Sequence, residues 1–297
     1  MNVPLYGTKQ AAHCFYATLV DEVKKRDYKR SKAYPCLYYV ITDGRLALIV
    51  SWVDDLILMG CQRDVDMMKE DLNKAFVCKA EGKLCKFVGS KINSKRDATG
   101  IGTAKFTQPV LVQKLIDEYK VDTSGKMPAT PAVAGLVLVK GDGSGQLDAK
   151  AATEYRSGTA TCMFMMQWSR PEIYNATHGQ ARHMSAPREP HKIALEKLMR
   201  YIVATKERGL VLKPNALWDG NLDFEFEIFG RSDSDYAANT DDRRSVSGGR
   251  VCLNACPLMF RSQTQKFMTL SVTEAEGAGG VMVALDMLYV YHLLLLV

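Results

Sequence analysis

Three patterns are missing from this 297-residue chain. No Cys-x-x-Cys pair occurs, no cysteine has a histidine at zinc-ligand spacing, and residues 1–20 lack the basic-then-apolar run of a secretory signal. The eight cysteines, with Cys252 and Cys256 separated by three residues and otherwise isolated, read as reduced thiols of a cytosolic or nuclear protein. Glycine (22) and proline (10) are too sparse for a collagen-like chain, and no internal repeat is found. With 47% hydrophobic and 24% charged residues, the composition excludes a disordered chain and a small disulfide scaffold. The length suits about two domains, each with an apolar core.

Charge is unevenly spread. Residues 1–215 carry 33 Lys and Arg against 22 Asp and Glu, whereas residues 216–297 carry 6 against 11, for a net +6 over the chain. A basic body followed by an acidic end suits a polyanion-binding region joined to a carboxylate-rich site, and it also suits ordinary solvated surface.

Apolar residues at Ala12, Phe15, Tyr16, Leu19 and Val23 fall on one helix face over Lys9–Val23. A basic run follows from Lys24 to Lys32. Cys36–Val40 and Leu46–Trp52 read as strands joined at Asp43-Gly44, a two-residue hairpin signal, and Leu56–Met59 resumes the apolar run. Helical spacing returns at Val65, Met68 and Leu72, then at Val112, Leu115, Ile116 and Tyr119. Residues 121–150, with Pro128, Pro131 and the Gly141–Gly145 cluster, read as a linker. A helix over Leu195–Val203, closed by Gly209, comes next. Leu222, Phe224, Phe226 and Ile228 then alternate with Asp223, Glu225 and Glu227, which predicts a half-buried strand. Val281–Val297 is almost wholly apolar but short of the roughly 20 residues that span a bilayer, and it contains Asp286 and His292. A helix packed on a sheet, with no membrane partner, is the expectation there.

Three acidic constellations could carry chemistry. Asp54-Asp55 sits between two apolar runs; adjacent carboxylates held on a stiff turn repel unless a cation such as Mg²⁺ offsets them, although a solvated turn shows the same pattern. Asp233 and Asp235 follow the alternating segment, and Glu274 and Glu276 open the last helical stretch, where helix-terminal acids are favoured in any case.

Taken in order, the segments resemble copia-type retrotransposon reverse transcriptases. Pro4-Leu5-Tyr6-Gly7-Thr8-Lys9-Gln10-Ala11 is similar to that family's LYGLKQAP segment, and Trp52-Val53-Asp54-Asp55 to its YVDD turn. Phe87-Val88-Gly89, Phe106-Thr107-Gln108 and Pro128-Ala129-Thr130-Pro131 resemble the segment that follows, and Ser169-Arg170-Pro171-Glu172-Ile173 the connecting region. Ser232-Asp233-Ser234-Asp235-Tyr236-Ala237, Arg243-Arg244-Ser245-Val246-Ser247-Gly248 and Ser271-Val272-Thr273-Glu274-Ala275-Glu276 resemble its RNase H domain.

The resemblance implies an α+β chain: a reverse-transcriptase palm and thumb remainder over 1–133, a connection over 134–215 and a partial RNase H-like unit over 216–297. It implies Mg²⁺ at two sites, with Asp54 and Asp55 as polymerase ligands and Asp233 and Glu274 as the first two RNase H acids. Lys9 and Gln10 would lie near the incoming nucleotide and template. The implied partners are RNA, DNA or an RNA–DNA hybrid, and dNTPs in intact relatives; basic helix faces and the Lys24–Lys32 run would track phosphates, though that run also suits a solvated loop. Both carboxylate sets are expected to be incomplete. A further polymerase aspartate precedes the LYGLKQAP segment in the family, and a third RNase H acid follows the glutamate by some tens of residues. Thr8, Ala12, Trp52 and Gly277 also depart from the usual Leu, Pro, Tyr or Phe, and Tyr. The expected function is therefore a reverse transcriptase/RNase H fragment, catalytically incomplete, with a non-catalytic nucleic-acid-binding remnant or a pseudogene product as the alternative.

Overall fold

The structure, a computed structural model, describes residues 8–141 and 143–295, with only the backbone of Lys9. The Pro4–Gly7 part of the opening motif lies outside the described residues. The chain is mixed helix and sheet, an α+β arrangement, and divides into two compact units. One combines Met1–Leu84, Ala216–Phe226 and Leu288–Val297; the other combines Cys85–Asn215 and Glu227–Met287.

In the first unit, helix α1 (Lys9–Lys24) starts at Thr8, whose hydroxyl accepts the Ala11 N–H at 3.2 Å and so satisfies one of the open first-turn donors. An antiparallel sheet follows in sequential order: β1 (Lys29–Arg30), β2 (Leu37–Thr42), β3 (Arg45–Trp52) and β4 (Asp55–Met59). At the β2–β3 turn both Asp43 and Gly44 have positive φ, 53° and 73°, the twist-matched two-residue turn that the Asp-Gly pair signals. Helix α2 (Gln62–Ala75) completes the core, in which Leu19 and Val23 of α1, Met68 and Leu72 of α2, and Tyr38, Ala47 and Ile49 of the sheet pack together.

The strand expected over Leu222–Ile228 is not formed before Ile228. The alternation survives in burial, with Phe224 and Phe226 half-buried between exposed acids. Among the described residues no neighbouring strand supplies a ladder, however, and the rings pack on one another instead. Phe224 and Phe226 meet at 4.9 Å, and Phe226 meets Trp218 edge-on at 5.3 Å. Period two specifies a two-faced segment, not a hydrogen-bonded partner.

The second unit holds a helical core and two sheets. Helices α3 (Pro109–Asp117), α4 (Ala149–Trp168), α5 (Tyr174–Ala181) and α6 (Glu189–Ala204) bury Leu115, Tyr155, Cys162, Met165, Leu198 and Ile202 together. Helix α6 ends at Ala204, before Gly209. Residues 118–148 form no helix among the described residues, as a linker reading requires, yet the segment is tied down. Stacked His183 and His191 rings, 4.0 Å apart, place their Nε2 atoms 3.2 Å from Leu138 O and 2.9 Å from Val139 O.

Strands β5 (Lys86–Phe87), β6 (Ser90–Arg96), β7 (Gly102–Thr107) and β8 (Leu210–Leu212) form one antiparallel sheet. The other contains β9 (Ile228–Asp235), β10 (Val246–Leu253) and β11 (Cys256–Thr264), in the order β11-β10-β9. Helix α7 (Val272–Leu295) lies close on this sheet: a Cβ at Gly230 would sit 2.5 Å from Met287 Sδ, and one at Gly249 would sit 2.5 Å from Val283 Cγ2. Only glycine admits that approach. By length and apolar composition α7 could also cross a membrane.

Candidate functional site

Asp54 and Asp55 sit at the β3–β4 hairpin. Trp52 pairs with Asp55, so Val53 and Asp54 are the two turn residues. Val53 has φ +55°, left-handed backbone that costs a β-branched residue about 1–2 kcal/mol. The conformation is held by continuous pairing from Leu48↔Met59 to Trp52↔Asp55 and by β3, whose Leu46, Ala47, Ile49 and Ser51 are buried. The Ser51 N–H also donates to Cys36 O at 2.9 Å. Both carboxylates are exposed, and neither makes a hydrogen bond or ion pair among the described residues. Two adjacent oxygen-donor groups on a stiff turn, unspent on the protein's own structure, suit a hard cation such as Mg²⁺. Gln10 is exposed on the first turn of α1, with Lys9 beside it in the backbone.

The second set is arranged differently. On β9, Ser234 is buried while Asp233 and Asp235 are exposed, so successive side chains take opposite faces. The Ser234 hydroxyl donates to Ala275 O at 2.9 Å and lies 3.0 Å from the Ser247 hydroxyl. Gln265 Nε2 donates to both Ser247 Oγ (2.8 Å) and Ala275 O (2.9 Å). This buried polar seam fixes the start of α7 on β9 and β10.

The helix acids have distinct employment. Glu274 turns back, its Oε2 accepting the Leu270 N–H at 2.7 Å while its own N–H donates to Ser271 Oγ at 3.1 Å, a capping arrangement for α7. Glu276 faces the sheet, its Oε1 accepting the Ser234 N–H at 3.3 Å. Residues i and i+2 lie about 200° apart around a helix, so one of the two must face away. The sequence presented both acids; only helical phase distinguishes them. No hydrogen bond joins Asp233 to Glu274, and the described residues contain no group of three or more His, Cys, Asp or Glu placed to hold a metal ion.

Asp286 is buried in α7 and takes a two-point ion pair from Arg261 of β11, Nε to Oδ2 at 2.8 Å and Nη2 to Oδ1 at 2.7 Å, which holds the Arg261 guanidinium above its usual pKa. A cavity of about 510 Å³ lies elsewhere in the second unit, walled by Leu136 and Leu138, by His178 and Arg182 of the α5 region, and by Ile193 of α6. Its wall includes Asp235 but not Asp233, Glu274 or Glu276.

The Reverse transcriptase (RNA-dependent DNA polymerase) family profile matches residues 1–133. The retrovirus-related Pol polyprotein from transposon TNT 1-94 of Nicotiana tabacum is 26% identical over 93% of this chain and 20% of its own length. That from transposon RE1 of Arabidopsis thaliana is 28% identical over 92% of this chain and 17% of its own length. A putative transposon Ty5-1 protein of Saccharomyces cerevisiae is 23% identical over 92% of this chain and 84% of its own length. The chain thus spans about a fifth of the Pol polyproteins it matches. No solved structure matches it.

Proposed function

For a chain that belongs to the copia-type reverse transcriptase region, a reverse-transcriptase-derived fragment, we propose that the β3–β4 turn is the polymerase-side metal turn. The observation that carries this is the strained two-residue turn presenting Asp54 and Asp55, both carboxylates without partners among the described residues, inside the matched segment. Mg²⁺ bound there would neutralise charge developing at a transferring phosphoryl group. This chain's own part is to hold two carboxylates on a rigid hairpin and, through Lys9 and Gln10 of α1, to meet the nucleotide and template.

On the same reading residues 1–133 are a palm and thumb remainder, 134–215 a connection and 216–297 an RNase H-like unit. The antiparallel β9–β11 sheet followed directly by α7 supports the last assignment. Its metal-binding acids would be Asp233 with a glutamate of α7. The resemblance assigns that role to Glu274, whose Oε2 also caps α7, while Glu276 is the acid that accepts the Ser234 N–H. Helix α7 is read as a packing helix, with no membrane partner, because Gly230 and Gly249 draw it onto the sheet and Asp286 pairs with Arg261. RNA, DNA or an RNA–DNA hybrid, with dNTPs, are the partners, and the eight free cysteines suit the cytoplasm or nucleus.

With two carboxylates at each turn and no larger cluster among the described residues, the chain is proposed not to turn over by itself. Mg²⁺-dependent extension of a primed template by the purified chain tests this. Background-level extension, equal in wild type and Asp54→Asn, is expected; extension that vanishes in Asp54→Asn would show a complete site.

A further inference from the structure

The sheet β5–β8 has two chemically opposite faces. Inward, Phe87, Ile92, Phe106 and Leu210 alternate along their strands, with Ile92 buried and Phe87 edge-on to Trp168. Outward, register aligns the remaining positions: Lys86 opposite Lys91, Lys91 opposite Thr107, Asn93 opposite Lys105, and Lys95 opposite Thr103. Four lysines therefore share one face. Lys86 and Lys91 form a direct cross-strand pair, and Lys105 lies diagonal to both Lys91 and Lys95, about 7–8 Å away in such a ladder. Lys86, Lys91 and Lys95 are exposed, and none of the four makes an ion pair or a side-chain hydrogen bond among the described residues.

No acid occupies a position on this face of the four strands; Asp97, just past β6, is taken up by its own turn and by Lys213 at 4.0 Å. Like charges set opposite one another destabilise a sheet unless an anion lies over them. Lys91 and Lys95, four residues apart on β6, are about 13 Å apart, against about 3.4 Å of axial rise per phosphate on a nucleic-acid strand, so the pair spans about four phosphates, with Lys105 placed diagonally between them. Asn93, Thr103 and Thr107 add neutral donors between them, and Val211 is the lone large apolar side chain on this face, which gives a lipid surface little to anchor.

We propose that this outer face, centred on Lys86, Lys91, Lys95 and Lys105, binds the phosphate backbone of a nucleic acid. The proposal rests on the reverse-transcriptase reading for its choice of nucleic acid, and it adds a surface distinct from the Lys24–Lys32 run.

Fluorescence anisotropy with a labelled 20-base-pair RNA–DNA hybrid, in EDTA and across a range of KCl concentrations, tests it without any metal. For the fourfold variant Lys86→Gln, Lys91→Gln, Lys95→Gln, Lys105→Gln, the slope of log K against log salt should become shallower by about 3–4. Lys69→Gln, Lys74→Gln, Lys79→Gln, Lys114→Gln, at four lysines already paired with acids, should leave it within about one. In the wild-type chain, bound hybrid should protect the four sheet lysines from acetylation, a readout independent of variant folding. An unchanged slope with no protection, an equal loss in the control set, or no hybrid binding by wild type would overturn the proposal. So would binding to phosphatidylserine vesicles that hybrid does not compete away. Failure of the metal-turn reading would show separately, as absent metal binding at Asp54 and Asp55 with hybrid binding intact.

Discussion

The two carboxylate-bearing regions differ in what their side chains are used for. At the β3–β4 turn the backbone is strained at Val53 and both carboxylates are free of partners among the described residues. At the β9–α7 junction the helix acids are occupied: Glu274 by Leu270 N–H and Glu276 by Ser234 N–H. A turn that stores strain and leaves charge unspent fits the proposed cation site, whereas an acid that caps a helix serves the fold. The difference separates carboxylates with no contact among the described residues from those that a ligand would share with a structural contact.

Substitutions can break this contrast, beginning with the helix–sheet contact. Gly249→Leu would drive a side chain into Val283 and Met282 and should destabilise the second unit by about 3 kcal/mol, read by urea denaturation. A matching change at the exposed Asp54, to Asn, should shift stability by less than about 0.5 kcal/mol.

Acid should also act on the second unit. Burial, the neighbouring His191 and Arg182 push His183 down to about 4, while Asp241 and the Leu138 carbonyl oppose the shift. The folded state then binds fewer protons than an unfolded chain with a histidine near 6.5. Stability is full above that pH and is lost as pH falls toward 4, by about 2–3 kcal/mol at pH 4.5. Urea titrations at pH 7 and pH 4.5 check this, and His183→Asn should flatten the difference.

Smaller effects sharpen the comparison. Glu274→Ala should cost about 1 kcal/mol through the lost cap, while Glu276→Gln, which keeps an acceptor for Ser234 N–H, should cost less than about 0.5 kcal/mol. Val53→Gly should be neutral to stabilising, by up to about 1 kcal/mol, because relief of left-handed strain outweighs the added freedom of the unfolded glycine. Melting of each variant against wild type measures these shifts.

What was legible in the sequence was local. Asp43-Gly44 specifies its turn chemically, the apolar spacing of α1 and α2 specifies a buried face, and Trp52-Val53-Asp54-Asp55 joins two strands, as its pattern implies. Long-range pairing was not legible. The Phe224–Phe226 alternation could not reveal that no strand lies alongside, nor could His183 and His191 reveal that their partners are the carbonyls of residues 138 and 139. Which of Glu274 and Glu276 faces the sheet depends on the phase of α7 against β9, which the Ser234 contact sets. The lysine face of β5–β8 likewise emerges only once strand register is known.

The central claim, that the β3–β4 turn is a cation site, is tested most directly by Mn²⁺ titration of isotope-labelled protein followed by amide NMR. Selective broadening of Val53, Asp54, Asp55 and Leu56 signals, abolished in Asp54→Asn, Asp55→Asn, is the expected result. Broadening that begins elsewhere, or that persists unchanged in the double variant, would contradict it.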